Sequence, residues 1–237
     1  MSLVDNASLA EHPKAAEIFK PDVLARAAEL RKNIPSGTGA YSHSQGVRFI
    51  RNNIAGFIEK RDGFPANPDD IYLTAGASTA IVRFMQMLIK EENEAVLIPI
   101  PQYPIYSATV TMLNGHQLGY EMDEEKGWGL DMDELRRVVR EGREDGLKPK
   151  ALVVINPGNP VGNCLSWDDL TELVKFCRAE KLVLLADEVY QENVYSDRPF
   201  HSVKKVGPAR PQTHTRGPAP CNARALAAEQ GLAGHSR

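Results

Sequence analysis

This 237-residue chain has little of what marks several large classes of protein. Basic charge is not in excess: 28 Lys and Arg stand against 31 Asp and Glu, a formal net charge of −3. A nucleic-acid-binding domain usually shows a basic stripe, so that class of partner is disfavoured. No apolar run approaches the roughly 20 residues of a membrane span. The longest, Ala151 to Ile155 and Leu182 to Ala186, are only as long as a buried strand. The three cysteines, Cys164, Cys177 and Cys221, lie far apart with no Cys-x-x-Cys. That argues against a disulfide framework or a zinc knuckle and makes a reducing compartment the default. The six histidines show neither His-x-x-x-His nor His-Glu-x-x-His, so no metal site is expected. The first residues carry Asp5, Glu11 and Glu17 and no apolar h-region, which fits neither a signal peptide nor an acid-poor transit peptide.

What is present is ordinary for a soluble globular chain, with 42% hydrophobic and 25% charged residues. Its length allows one large domain or two small ones. Helical periodicity alternates with short apolar runs and no internal repeat is visible. Helices are expected at Pro21–Asn33, Ala77–Lys90, Ile105–Leu113, Asp131–Glu141 and Ser166–Glu180, the last with a Ser166/Asp169 capping-box pair. Strands are expected at Ile71–Thr74, Ala95–Ile100, His116–Met122, Ala151–Ile155 and Leu182–Ala186. Continuous apolar strands separated by helices predict an α/β fold: a mostly parallel sheet with helices on both faces. Composition shifts after Val206. Residues 207–237 hold four Pro, four Gly, seven Ala, four Arg and one Glu, with Leu226 and Leu232 the only large aliphatics. Such a segment cannot bury enough apolar surface to offset its ordering entropy, so a disordered tail is expected.

Four unusual segments follow strand ends: Gly76-Ala77-Ser78, Pro101-Gln102-Tyr103-Pro104, Asn156 to Gly162, and Asp187-Glu188-Val189-Tyr190. Ligands of open α/β sheets bind outside the carboxyl ends of the strands, so the four suggest one composite pocket. Free N–H groups and the helix dipole at Gly76 to Ser78 favour an anion. The segment is not a nucleotide P-loop, since no Gly-Lys-Ser/Thr follows. Tyr103, held between two prolines, offers a stacking face. Asn159 offers an amide donor in a stiff loop. Asp187 ends a buried strand, where a carboxylate needs a partner, and a protonated ring nitrogen would serve. Tyr190 can turn a phenol toward the same ligand. Singly, each has a structural explanation: a turn with a cap, a packed tyrosine, a long turn, an ion pair. As a set they match pyridoxal phosphate, with its phosphate, aromatic ring, 3-oxygen and pyridinium nitrogen.

The motifs GAYSHSQG at 39–46, IPIPQYPIY at 98–106, VINPGNPVG at 154–162, LLADEVYQENVY at 184–195 and FHSVKKV at 200–206 resemble the class I/II, fold-type-I aminotransferases, close to the alanine aminotransferase branch. The resemblance covers roughly residues 12–206. It implies pyridoxal 5′-phosphate as cofactor, an amino acid and a 2-oxo acid as substrates, and a cytoplasmic or mitochondrial location. It assigns Ala77 and Ser78 to the phosphate, Tyr103 to stacking, Asn159 and Tyr190 to the 3-oxygen, and Asp187 to the ring nitrogen. It assigns Tyr41 to the phosphate of a neighbouring subunit, which implies a homodimer. Val161 departs from the family's usual threonine, and a lost hydroxyl there should matter less than loss of Asn159. The implied domains are an N-terminal helical segment at 1–35, a partial cofactor-binding large domain at 36–206 and a tail outside the family pattern at 207–237.

The resemblance also places the family's Schiff-base lysine in a Ser-x-x-Lys motif one helix and one strand past Asp187, beyond where the pattern stops. Ser202-Val203-Lys204-Lys205 has that form but corresponds to an earlier family segment. The expectation is therefore a chain without the catalytic lysine, the downstream arginines or the small domain, and with a shortened N-terminal arm. Two functions follow: an alanine:2-oxoglutarate transaminase represented incompletely, or a non-catalytic product that binds the cofactor weakly or pairs with a full-length subunit. A nicotinamide dehydrogenase is disfavoured, because Gly37-Thr38-Gly39 follows no strand and Ser42 stands where the third glycine belongs.

Overall fold

The computed structural model describes residues 2–39, 41–195, 198–207 and 224–226. The chain divides into two compact units, Met1–Leu73 and Thr74–Arg237. The first is helical: α1 (Ser2–Asp5), α2 (Ala7–Ala10), α3 (Ala15–Ile18), α4 (Pro21–Asn33) and α5 (Arg48–Asp62), followed by a 3-10 turn at Pro68–Asp70. Proline at the start of α4 costs no hydrogen bond, and Arg31 and Lys32 suit its negative C-terminal pole. Helix α5 has no counterpart in the sequence reading. Its buried face combines Ile54, Ala55 and Ile58 with Arg51 and Asp62, so the apolar stripe is interrupted by charge. The Arg51 guanidinium is satisfied by the carbonyls of Pro68 (2.8 Å) and Gly46 (3.2 Å). Ile71 to Thr74 is not a strand. Among the described residues its one backbone bond to a distant segment runs from Leu73 N–H to the Gln45 carbonyl at 2.9 Å. A short apolar run becomes a strand only where a neighbour can form a ladder.

The second unit is the α/β body: α6 (Ala77–Leu88), β1 (Glu94–Ile100), α7 (Ile105–Met112), β2 (His116–Glu121), α8 (Met132–Glu144), β3 (Lys148–Ile155), α9 (Trp167–Glu180), β4 (Val183–Asp187), α10 (Val203–Val206) and β5 (Arg224–Leu226). The five strands are ordered β2-β1-β3-β4-β5 and every pairing is parallel. Alternate residues of each strand face opposite layers. Leu97, Leu152, Val154, Leu184 and Ala186 pack under α8, α9 and α10. Val96, Ile98, Ala151, Val153, Ile155 and Leu185 pack under α6 and α7. Both faces are covered, so Ala95–Ile98 of β1, Ala151–Ile155 of β3 and Val183–Ala186 of β4 are unbroken apolar runs. Leu135, Leu170 and Leu173 are wholly buried. Truncating any one to alanine should cost about 2–5 kcal/mol.

The expected boundaries shift by a few residues. The Ser166/Asp169 capping box is present, with reciprocal bonds of 3.1 and 3.0 Å. Asp131 caps α8 through the Asp133 and Glu134 N–H groups. Nearly all of the expected tail lies outside the described residues. Beyond Gly207, which caps α10, its described part is Arg224–Leu226, which pairs in register with Leu185 to Asp187. Three residues carry no readable periodicity, and the β4 edge supplies the ladder. Among the described residues, no helix is long and apolar enough to cross a membrane.

Candidate active site

The order in which the chain adds strands reverses beside β1, whose neighbours are β2 on one side and β3 on the other. Such a switch point leaves a crevice at the carboxyl ends of the strands. The loops after β1, β3 and β4 end there with the N-terminus of α6, around a cavity of about 250 Å³. Gly76, Ala77, Ser78, Tyr103, Asn159, Asp187 and Tyr190 line it, with Ile81, Ile155 and Val189 as apolar wall. Six of the seven residues singled out from the sequence therefore share one cavity. The seventh, Tyr41, belongs to the first unit and is fully exposed.

At the start of α6, Gly76 has φ 84° and ψ 166°, a conformation essentially confined to glycine. No side chain caps the helix, so its first N–H groups are open to an anion. A Cβ built on Gly76 would meet nothing within 4 Å. Backbone conformation, not space, demands the glycine there. Tyr103 keeps a half-exposed ring at the mouth, 45% accessible.

The loop after β3 is held by Asn156, which is fully buried. Its amide oxygen accepts from Leu165 N–H at 3.0 Å and its amide nitrogen donates to the His201 carbonyl at 3.1 Å. Its N–H also donates to the Asp187 carbonyl at 2.9 Å. Gly158 is needed for close approach, since a Cβ there would collide with Asn163 and Val161. The loop thus presents Asn159, whose amide donates to the Tyr190 hydroxyl at 3.1 Å. That bond uses Tyr190 as acceptor and leaves its own proton free to turn into the cavity.

Asp187 is 5% exposed at the end of β4. Its carboxylate accepts from the Tyr106 hydroxyl at 2.6 Å and from Val189 N–H at 3.2 Å. Desolvation first, and then the Asp187 charge, push the Tyr106 phenol well above its usual pKa, so it stays a donor. The next residue, Glu188, is also buried and points elsewhere. It accepts from the Ser202 hydroxyl at 2.8 Å and from Val203 N–H at 2.7 Å, holding α10 against the end of β4. Ser202 in turn accepts from Lys204 N–H at 3.2 Å. The Ser202-x-x-Lys205 segment is therefore a helix cap. Among the described residues no lysine lines the cavity.

Sequence reasoning missed Tyr106, Asn156, Glu188 and Ser202 as site-building residues. Tyr106 falls three residues after Tyr103, in the first turn of α7, which Tyr103 precedes, and its place in the same IPIPQYPIY motif was the available signal. The cavity offers open N–H groups for an anion, a carboxylate for a cationic N–H, an amide and a phenol for an oxygen, and an aromatic face for a planar ring.

The chain matches the family model described as aminotransferase class I and II over residues 14–226. The match runs past Val206, into the segment expected to leave the family pattern. Alanine aminotransferase 2, mitochondrial, of Arabidopsis thaliana is 50% identical over 208 residues, covering 87% of this chain and 38% of that protein. Glutamate–glyoxylate aminotransferase 2 of the same plant is 44% identical over 207 residues, covering 87% and 43%. A solved aminotransferase from Escherichia coli superposes with a TM-score of 0.66 at 30% identity, covering 82% of this chain and 46% of its own. The chain spans about two fifths of the length of the curated relatives it matches. A family match over most of its residues, on a parallel sheet whose strand ends gather these motifs, makes this chain a member of the class I and II aminotransferase family.

Proposed function

We propose that this chain carries the pyridoxal-phosphate site of an aminotransferase that moves the amino group of L-alanine to 2-oxoglutarate. The observation that carries the reading is the single cavity uniting the α6 N-terminus, Tyr103, Asn159, Tyr190 and Asp187. The donor set fits the cofactor group by group. Ala77 and Ser78 would hold the phosphate on open helix N–H groups and a hydroxyl. Tyr103 would stack on the ring. The Tyr190 proton and the Asn159 amide would bond the ring oxygen. Asp187 would accept the proton of the ring nitrogen. Bound pyridoxal phosphate supplies an aldehyde carbon for the amino group and a cationic ring that withdraws electrons from the substrate carbon. Ile81, Ile155 and Val189 exclude water from the inner wall, which strengthens each of these polar contacts.

The alanine assignment draws on the 50% relative, and the glutamate–glyoxylate relative is the competing substrate pair for assay. The same likeness supports a mitochondrial or cytoplasmic setting. Full exposure of Tyr41 supports its reaching the phosphate of a second subunit. The cavity wall holds no described lysine, which favours a second reading for the isolated polypeptide: cofactor binding without turnover, or pairing with a full-length subunit.

Absorbance titration of the purified chain with pyridoxal phosphate, before and after borohydride, tests the site. Saturable binding that borohydride does not fix is expected. Asp187→Asn should weaken it by about 1.5–3 kcal/mol, roughly 10- to 150-fold, through loss of a charge-assisted bond. Equal affinities would remove Asp187 from the site. A coupled assay with alanine and 2-oxoglutarate should stay at background. Sustained pyruvate formation, lost on Lys205→Ala, would instead make Lys205 the catalytic lysine.

A further inference from the structure

We propose that Tyr106 is a positioning residue for the cofactor site, holding the Asp187 carboxylate in the orientation that faces the cavity. The inference rests on the proposed cofactor reading and goes beyond it, because Tyr106 does not line the cavity and touches the ligand only through Asp187.

Tyr106 lies in the first turn of helix α7 and is wholly inaccessible, in one buried cluster with Ile81, Met85, Val96 and Val110. A phenol in such a layer must find a hydrogen-bond partner or forfeit its desolvation energy. A phenylalanine would satisfy the packing without that requirement. The partner is 81 residues away: Asp187 Oδ2, at 2.6 Å. The other oxygen, Oδ1, takes Val189 N–H at 3.2 Å, a longer bond from a residue on the same loop. Tyr106 is thus the anchor from outside that loop, and it comes from an element packed beneath the sheet. The segment after β1 accordingly contributes twice, once from the loop and once from the first turn of α7. Tyr103 presents its ring to the cavity, and Tyr106, three residues on, turns inward to brace the carboxylate. The bracing bond is short and wholly shielded, so bulk water cannot substitute for it. Burial and the neighbouring charge keep the phenol protonated. It therefore acts as a fixed donor, with no proton to give up.

The test separates bracing from packing by changing the ligand. Pyridoxal phosphate and its 1-deaza analogue, which carries carbon in place of the ring nitrogen, are titrated into the full 237-residue chain. Tyr106→Phe, Asp187→Asn and the double variant are treated alike, and thermal melts are run beside each titration. Tyr106→Phe is expected to weaken pyridoxal phosphate about tenfold and the analogue less than about twofold, because only the former uses Asp187. The double variant should bind pyridoxal phosphate no more weakly than Asp187→Asn alone. Equal weakening of both ligands by Tyr106→Phe would reduce Tyr106 to packing and overturn the proposal. Unchanged affinity for pyridoxal phosphate would overturn it as well. Failure of the unaltered chain to bind pyridoxal phosphate would instead sink the cofactor reading, and this inference with it. Should Tyr106→Phe fail to fold, recovery of a cooperative melt in the double variant supports the coupling, since the unpaired buried charge is then gone. No recovery overturns it.

Discussion

Glu188→Gln swaps one carboxylate oxygen for an NH₂ group and changes almost nothing in volume. In the structure both oxygens are used as acceptors, Oε2 for the Ser202 hydroxyl at 2.8 Å and Oε1 for Val203 N–H at 2.7 Å. Both partners are donors, so whichever way the amide turns, an NH₂ group faces one of them. Glu188 and Ser202 are each 1% exposed, which leaves no water to relieve that clash. If the hydroxyl turns so that its oxygen, which already accepts from Lys204 N–H, also accepts from the new NH₂ group, its own proton loses the carboxylate it was bonded to. One charge-assisted bond is lost and a buried donor is stranded, a cost of about 1.5–3 kcal/mol. For a chain of this size that lowers Tm by about 3–12 °C. Urea melts of the wild type, Glu188→Gln, Ser202→Ala and the double variant form a cycle. Removing the hydroxyl also removes the donor clash, so the double variant should be more stable than the sum of the single effects implies. A Glu188→Gln melt within about 0.5 kcal/mol of wild type, or strict additivity, would refute the network as described.

Gly76→Ala should destabilise the chain by about 1–3 kcal/mol through backbone strain alone, and pyridoxal-phosphate titration should show weaker binding as the α6 N–H groups move. Glu94 accepts from Lys90 N–H at 2.6 Å and pairs with Lys150 at 3.0 Å, and the Lys90 bond, then the Lys150 bond, lower its pKa from 4.5 to about 2. The folded state thus sheds this proton more readily than the unfolded chain, so the stabilisation is whole above about pH 5 and is lost as pH falls toward 2. Glu94→Gln should flatten that part of a Tm-against-pH curve, and an unchanged slope would count against the assignment. Burial pushes both Tyr106 and Tyr120 well above the usual phenol value, so an alkaline ultraviolet titration should find these two ionising only as the chain unfolds.

Sequence alone determined the layers and the chemistry at their edges. The runs Ala151 to Ile155 and Leu182 to Ala186 are legible because a parallel strand covered on both faces has no polar side to show. The α9 capping box is legible because its two partners lie three residues apart. The same locality made Tyr103, Asn159, Asp187 and Tyr190 readable, Asp187 as the charged end of an apolar strand and the others in the segments that follow strand ends. Tertiary structure decided what depends on residues distant in sequence. Helix α5 was hidden because Arg51 and Asp62 sit on its buried face, and partners such as the Pro68 and Gly46 carbonyls for Arg51 and the Arg61 side chain for Asp62 make those charges tolerable there. Among the described residues Ile71 to Thr74 has a strand's composition without a neighbouring strand, whereas Arg224–Leu226 has no such composition and lies beside the β4 edge. The strand order that opens the crevice beside β1 arises from crossovers, which local periodicity does not encode. Tyr106 reads as one more core aromatic until the sheet brings Asp187 to its hydroxyl, because a buried hydrogen bond between residues 81 apart is a property of the packed layers and not of either segment.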